Sequence, residues 1–401
     1  MQYLVILCDG MGDHPYSGFD NMTPMEAADK VNMNHIALSS RIGMVKTIPD
    51  SISPPGSDPA NMSVMGYDPL VYYTGRSPIE AASMGVPMTD TDVAMRCNVV
   101  TLSTEQNYAD RTMIDYSSGE ISTEEASELI KAVDNALGTD IMQFHAGVSY
   151  RHCLLWKDGS TDFTCTPPHD ITGKPIASYL PGGTYGAGIL ELMEASTKVL
   201  ENHPINLARK AAGKNPANSI WLWGQGSKPV LPSFQSKYGL RGAVISAVDL
   251  IKGLGVLTNM DVIEVDGATG NKDTNFEGKG QAVINCFNNG YDFVYAHIEA
   301  PDECGHHGDA EGKKYSIEMI DKHILGPALE YAHQGHDLRI LIVPDHATPL
   351  DIRTHNHEPV PYLIWDSSNP VHGFSFNEAE AQKKGDYVAP GCTLMDIFLR
   401  G

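Results

Sequence analysis

Seven side chains in this sequence are of types that act together on phosphate: Asp9, Ser57, Asp302, His306, Asp345, His346 and His355. Carboxylate oxygens and imidazole nitrogens form the ligand set for two divalent cations, and a serine hydroxyl beside such cations is a nucleophile for phosphoryl transfer. Asp345 and His346 stand side by side, Asp302 and His306 share what reads as one loop, and His355 follows in the turn-rich stretch THNHEPVP. Two cations about 3.5–4 Å apart hold the attacking and leaving oxygens of an in-line displacement. Taken singly, each pair is as readily a capping Asp or a surface contact. Together they carry weight only if the fold gathers them.

Ser57 follows Pro54-Pro55-Gly56 and precedes Pro59. The glycine permits a tight turn and the proline suits the first turn of a helix running to about Met65. Ser57 is therefore expected at the helix N-cap, facing the positive end of the dipole. A plain cap serine is one reading. The other is a cation-activated hydroxyl that accepts a phosphoryl group at a helix N-terminus.

The elements that must position these groups are short and apolar. Residues 3–7 form a buried strand that ends at Cys8-Asp9-Gly10. The pattern recurs at 292–298, which runs into Glu299-Ala300-Pro301-Asp302, and at 338–343, which runs into Pro344-Asp345-His346. Between them residues 315–331 show helical spacing. Strand, helix, strand predicts a parallel sheet covered on both faces, with ligands gathered past the carboxyl ends of the strands. A further helix is expected over 243–256 and a strand over 261–265. The middle of the chain predicts strands over 92–102, 148–156 and 218–223, the last leaving through a Gly224-Gln225-Gly226 turn, and an amphipathic helix over 123–137. The expected organisation is an α/β metal-binding sheet domain in two segments, 1–90 and 237–401, with an inserted α/β domain over 91–236.

Lys and Arg number 28 against 50 Asp and Glu, a net charge of −22, which disfavours nucleic acid and anionic membranes as partners. A phosphate site in such a field must be made positive locally, by cations and a few arginines. The seven scattered cysteines lack a C-x-x-C pair, so a reducing cytoplasm is expected rather than a disulfide framework. No apolar run approaches the roughly 20 residues of a membrane span, and because MQYLVILCDG reads directly as a strand no signal peptide is expected.

The strings LCDGMGD, PPGSDPANMSVMGYDP, YYTGRSPIEA, GVSYRH, PPHD, NSIWLWGQGSKPVLPSF, DVIEVDGATG, EAPDECGHHGD and VPDHATP span nearly the whole chain. Together they resemble the archaeal-type cofactor-independent phosphoglycerate mutases of the alkaline phosphatase superfamily. The resemblance implies an alkaline-phosphatase-like domain carrying two Mn²⁺-type cations (Mg²⁺, Co²⁺ or Zn²⁺ also suit the donors), a serine nucleophile, and no need for 2,3-bisphosphoglycerate. It implies one cation at Asp302, His306 and His355 and the other at Asp9, Ser57, Asp345 and His346, with His357 competing for the role of His355. It also implies interconversion of 2- and 3-phosphoglycerate through a phosphoserine, with the domains closing to exclude water. The alternative is a homoserine-kinase-like phosphotransferase with the same core.

A substrate bearing phosphate and carboxylate calls for guanidinium groups and a positioned acid–base. Arg151, His152, His169 and Asp170 are the candidates in the inserted domain, Arg241 and Lys279 in the sheet domain, with Arg76 of TGRSP a further one. The resemblance favours Arg151 and Asp170. For each, a solvated surface group is the plain alternative.

Overall fold

The computed structural model describes residues 1–400. Its strands, in chain order, are β1 (Gln2–Cys8), β2 (Arg41–Val45), β3 (Val93–Leu102), β4 (Met113–Asp115), β5 (Met142–His145), β6 (Arg151–Trp156), β7 (Ser219–Ser227), β8 (Gly242–Ile245), β9 (Asp261–Ile263), β10 (Phe293–Ile298), β11 (Leu338–Val343), β12 (Val360–Asp366) and β13 (Asp386–Val388). The chain divides into two compact units, Met1–Tyr73 with Leu231–Gly401, and Thr74–Val230.

The first unit is built on an eight-stranded sheet in the order β13-β2-β12-β11-β1-β10-β8-β9. Its centre is parallel, as the apolar runs require: β1 pairs with β10 on one side and β11 on the other. Leu4, Val5, Ile6 and Leu7 are fully buried, so both faces of β1 are covered and no hydrophobic alternation remains to be seen. Only β12 runs against its neighbours, antiparallel to both β11 and β2. Helices Phe276–Asn288 and Ala310–Ile320 carry Val283, Ile317 and Ile320 into the core on one face.

The expected helix over 243–256 is corrected. Residues Gly242–Ile245 form β8, parallel to β10 and β9, and the helix begins only at Asp249. A short apolar run has no periodicity of its own, and here the sheet claims it. The helix expected over 315–331 extends as a helical run from Ala310 to His333, with a π-type turn at Asp321–Leu325.

The second unit has an antiparallel sheet, β4-β3-β6-β5 with β7 also on β3, covered by helices Thr123–Leu137 and Gly186–Leu200. The predicted turn at Gly224-Gln225-Gly226 is instead inside β7. Gly224 takes φ +64° where the register with β3 shifts, so the glycines mark a bulge rather than an exit. This unit starts at Thr74 rather than at residue 91, because helix Ser77–Ser83 packs into it. Glu80 binds the Arg96 guanidinium of β3 through both carboxylate oxygens.

A buried ion pair ties the first unit together at the carboxyl end of its sheet. Lys313 Nζ lies 2.7 Å from Asp13 Oδ2, neither side chain more than 1% exposed, and donates also to the carbonyls of Gly12 (3.2 Å) and Thr348 (2.9 Å). It thus joins the segment after β1 to the segment after β11. Removing one partner of such a pair leaves a buried charge uncompensated, at a cost of about 3–5 kcal/mol. Lys313→Met should destabilise the protein by that order in chemical denaturation. The double variant with Asp13→Asn should recover most of the loss, because no buried charge then remains. Equal unfolding midpoints for Lys313→Met and the parent would refute the assignment.

Candidate metal centre

Asp9, Asp302, Asp345, His346 and His355 converge beyond the carboxyl ends of β1, β10 and β11. Two groups of donor atoms, Asp9-Asp345-His346 and Asp302-His346-His355, each fit within 4.8 Å. Gly10 lets the chain turn there at φ +62°, and a Cβ on it would lie 2.5 Å from Asp302 Oδ1, so the β1 loop must carry glycine at this point. Asp302 and His306 sit on a helix, Ala300–His307, not on the expected loop. Their i, i+4 spacing puts both on one face, with His306 Nε2 3.2 Å from Asp302 Oδ2. Pro301 at the helix start explains the error: it reads as a loop former and serves here as a first-turn residue.

Around the first group, hydrogen bonds fix which lone pairs face inward. Thr348 Oγ1 donates to Asp302 Oδ1 and lies 3.2 Å from His346 Nδ1. Its one proton is used, so His346 Nδ1 carries the hydrogen and Nε2 presents a lone pair. That lone pair lies 3.3 Å from Asp345 Oδ2 and 3.5 Å from Asp9 Oδ1. Asp9 Oδ1 is buried without a hydrogen-bond partner. Three electron-rich atoms directed at one another in the interior are the donor set of a divalent cation. Burial, then the charges of Asp345 and Asp302, push the Asp9 carboxyl well above its ordinary range. A cation offsets that repulsion, so the residues fit the group.

His306 adjoins the second group, its Nε2 facing His355 Nε2 at 3.0 Å. His306 Nδ1 meets the Arg353 carbonyl at 3.0 Å, which reserves Nε2 for the site. Burial works upward on Asp302, but its bonds from His306 and His355 prevail and hold it well below the usual carboxylate range. The Asp302 hydrogen bond in turn raises His306 to about 9. His357 points elsewhere: its Nε2 binds the Ile52 carbonyl at 2.8 Å. Of the two imidazoles of H-N-H, His355 is the one in the cluster.

Ser57 Oγ lies 3.0 Å from His346 Nε2. It is the first residue of helix Ser57–Val64, with Gly56 in the cap position and no side-chain cap bond, so Ser57 is not the N-cap expected. Its hydroxyl is thereby left to the cluster. Asn61 of the same helix holds Asp345, with Nδ2 2.7 Å from Oδ2, and Tyr295 on β10 fixes Asn61 Oδ1 at 2.7 Å.

The substrate candidates fare unequally. In the second unit Arg151 is exposed at the start of β6, its guanidinium 5.3 Å from the Tyr150 ring centre. Tyr150 meets Tyr116, Tyr116 meets His169, and His169 meets Trp223, with ring centres 5.7, 6.1 and 5.3 Å apart. Asp170 lies beside His169, with Oδ1 3.6 Å from Nε2. Arg151, His169 and Asp170 thus border one aromatic patch. His152 does not: it is 3% exposed, accepts a hydrogen bond from Gly147 N–H, and burial pushes its imidazole down to about 3. Arg76 pairs with Glu80 of the helix that follows it, at 2.8 Å.

Arg241 and Lys279 are corrected. Arg241 precedes β8 and pairs with Asp261 at the start of β9, at the amino ends of two strands parallel to β10, whereas the cluster lies past the carboxyl ends of β1, β10 and β11. A four-residue strand separates the two ends by about 13 Å. Lys279 is 1% exposed, donates to the His297 carbonyl at 3.2 Å, and burial brings it down to about 8. The residues missed by sequence reasoning are Asn61, Tyr295, His297, Lys313 and Thr348. The one signal for His297 and Tyr295 is a polar group inside the otherwise apolar run FVYAHI.

Side chains of this kind, past the strand tips of a parallel sheet, place the chain among enzymes that transfer phosphoryl groups with divalent cations. Comparison with known proteins narrows the class. The family profile described as 2,3-bisphosphoglycerate-independent phosphoglycerate mutase matches residues 37–206. The enzyme of that name from Methanosarcina barkeri is 49% identical over all of both chains, and a probable one from Geobacter sulfurreducens 46% over all of both. The solved structure of a cofactor-independent phosphoglycerate mutase from Thermoplasma acidophilum superposes with a TM-score of 0.69 at 26% identity, covering 100% of this chain and 99% of that one. The chain belongs to the 2,3-bisphosphoglycerate-independent phosphoglycerate mutase family. Among the described residues no helix is long and apolar enough to cross a membrane.

Proposed function

We propose that this enzyme interconverts 2- and 3-phosphoglycerate by passing the phosphoryl group through Ser57. The observation that carries the reading is the Ser57 hydroxyl 3.0 Å from His346 Nε2, at the edge of the paired donor clusters. Asp9, Asp345 and His346 would hold one divalent cation, and Asp302, His306 and His355 the other, with Mn²⁺ the proposed ion. Bound there, the cations supply charge neutralisation for the phosphoryl oxygens and ease ionisation of the serine hydroxyl.

Ser57 Oγ forms the new bond to phosphorus and the glycerate oxygen leaves, taking a proton. The other glycerate hydroxyl then recovers the phosphoryl group and frees Ser57. The amino end of helix Ser57–Val64 stabilises negative charge on that serine. Arg151 is the proposed partner of the substrate carboxylate, and Asp170 with His169 the proposed proton carriers. The reading is favoured over a homoserine-kinase-like activity by full-length similarity to proteins named as mutases.

The test is an enolase-coupled assay of the purified protein with 3-phosphoglycerate and Mn²⁺, without 2,3-bisphosphoglycerate. Formation of 2-phosphoglycerate is expected. Release of inorganic phosphate alone, or a requirement for 2,3-bisphosphoglycerate, would refute the reading, and phosphorylation of homoserine would support the alternative.

A further inference from the structure

His297 is a histidine inside the sheet with no place in the ligand set above. It lies on β10 beside Leu7 of β1, fully buried, and its Nε2 meets Asp9 Oδ2 at 2.8 Å. Its Nδ1 meets Ser246 Oγ at 3.1 Å. Ser246 Oγ accepts the Val248 N–H at 3.0 Å and keeps its own proton to offer to His297 Nδ1. The Asp9 carboxylate places the imidazole hydrogen on Nε2 as a donor, since the opposite tautomer would set a lone pair against Asp9 Oδ2. The Lys279 ammonium on the His297 carbonyl closes the strand from behind.

The two oxygens of Asp9 therefore differ. Oδ2 is engaged by His297, and Oδ1 is buried, without a hydrogen-bond partner, and 3.5 Å from His346 Nε2. We propose that His297 is a positioning residue that holds Asp9 to a single donor oxygen and so selects small cations over large ones at this site. Ca²⁺ takes 6–8 oxygen ligands and gains from two-oxygen carboxylates, whereas Mg²⁺-sized ions demand fewer ligands at shorter distances. Freeing Oδ2 allows both oxygens to reach the cation and moves the site toward the larger ion. Tyr295, two residues earlier on the same face of β10, restrains Asp345 through Asn61, so one strand face disciplines both carboxylates.

The inference rests on the metal reading of the site, and the experiment separates the two. Metal-stripped protein is titrated calorimetrically with Mn²⁺ and with Ca²⁺. In the parent protein Mn²⁺ should bind and Ca²⁺ should be far weaker; absence of Mn²⁺ binding to the parent overturns the metal reading itself. In His297→Leu the Mn²⁺ affinity should fall about 10–100-fold and the Ca²⁺-to-Mn²⁺ affinity ratio should rise. His297→Gln, whose amide donates to Oδ2, should keep the parent ratio. Ser246→Ala, which releases the tautomer but preserves the imidazole, should shift the ratio in the same direction by a smaller factor. A folded His297→Leu with the parent's affinities overturns the proposal while leaving the metal reading intact. If that variant does not fold, an unchanged ratio in Ser246→Ala overturns it equally.

Discussion

Ser57→Ala should lower mutase turnover by a factor of about 10⁴ or more, the scale seen when a nucleophile is deleted from a concerted site. The fold should survive. Ser57 occupies the first helical position and makes no cap bond, so the helix loses nothing structural with the hydroxyl. Its contact with His346 Nε2 is a site interaction, and the carboxylate–imidazole clusters do not depend on it. Mn²⁺ titration of the variant should therefore still show binding, while no acid-stable phosphoserine forms on incubation with substrate. Residual activity above about 1% of the parent would take Ser57 out of the pathway.

Removing cations should have an effect of similar size. Chelation should abolish activity, and add-back of Mn²⁺ should restore it. The stripped protein should also melt at lower temperature: a ligand present at a hundred times its dissociation constant contributes about 2.7 kcal/mol. Recovery should depend on pH in a defined sense. His306, raised to about 9 by Asp302, carries in the free protein a proton that a cation must displace from Nε2. Below that value the proton competes, so apparent Mn²⁺ affinity should climb from pH 7 toward 9, with a slope of up to about tenfold per pH unit for one displaced proton. A flat profile over this range would show that His306 is not a ligand.

How far the site was readable from the residues depended on what each one punctuates. Asp9 and Asp345 end apolar runs, and an acid at that place in a buried strand has few roles outside a site. His355 was readable only through its company, and its competition with His357 is decided by the Ile52 carbonyl, a contact between segments 305 positions apart. Asn61, Tyr295, His297, Lys313 and Thr348 support the ligands from inside helices, strands and loops. Each is one polar group in an apolar neighbourhood, so sequence alone cannot tell a supporting bond from an ordinary core polar residue.

The misplacement of Arg241 has a single cause. Residues 242–245 form a parallel strand where the sequence suggests a helix, and that strand fixes Arg241 at its amino end. The identity of one element thus decides at which rim of the sheet Arg241 stands. Lys279 and His152 lie inside for a different reason: charge and ring nitrogen suggest exposure, while the helix and strand carrying them turn both inward. The second unit's patch was half visible. Arg151, His169 and Asp170 stand out in the sequence, yet the rings of Tyr116, Tyr150 and Trp223 beside them come from three distant segments.

The single reversed strand, β12, has a consequence for how this centre can be altered. Because β11 and β12 run in opposite directions, the connection 344–359 leaves and re-enters the sheet at the same rim and never travels beneath it. Asp345, His346 and His355 all ride on that connection. It is nonetheless anchored, with Leu350 buried beside Phe19 and Ala310 and the Arg353 carbonyl holding His306. Side-chain changes at the exposed Ile352 on this connection offer an engineer a handle on the stretch between His346 and His355 that leaves the hydrophobic interior undisturbed.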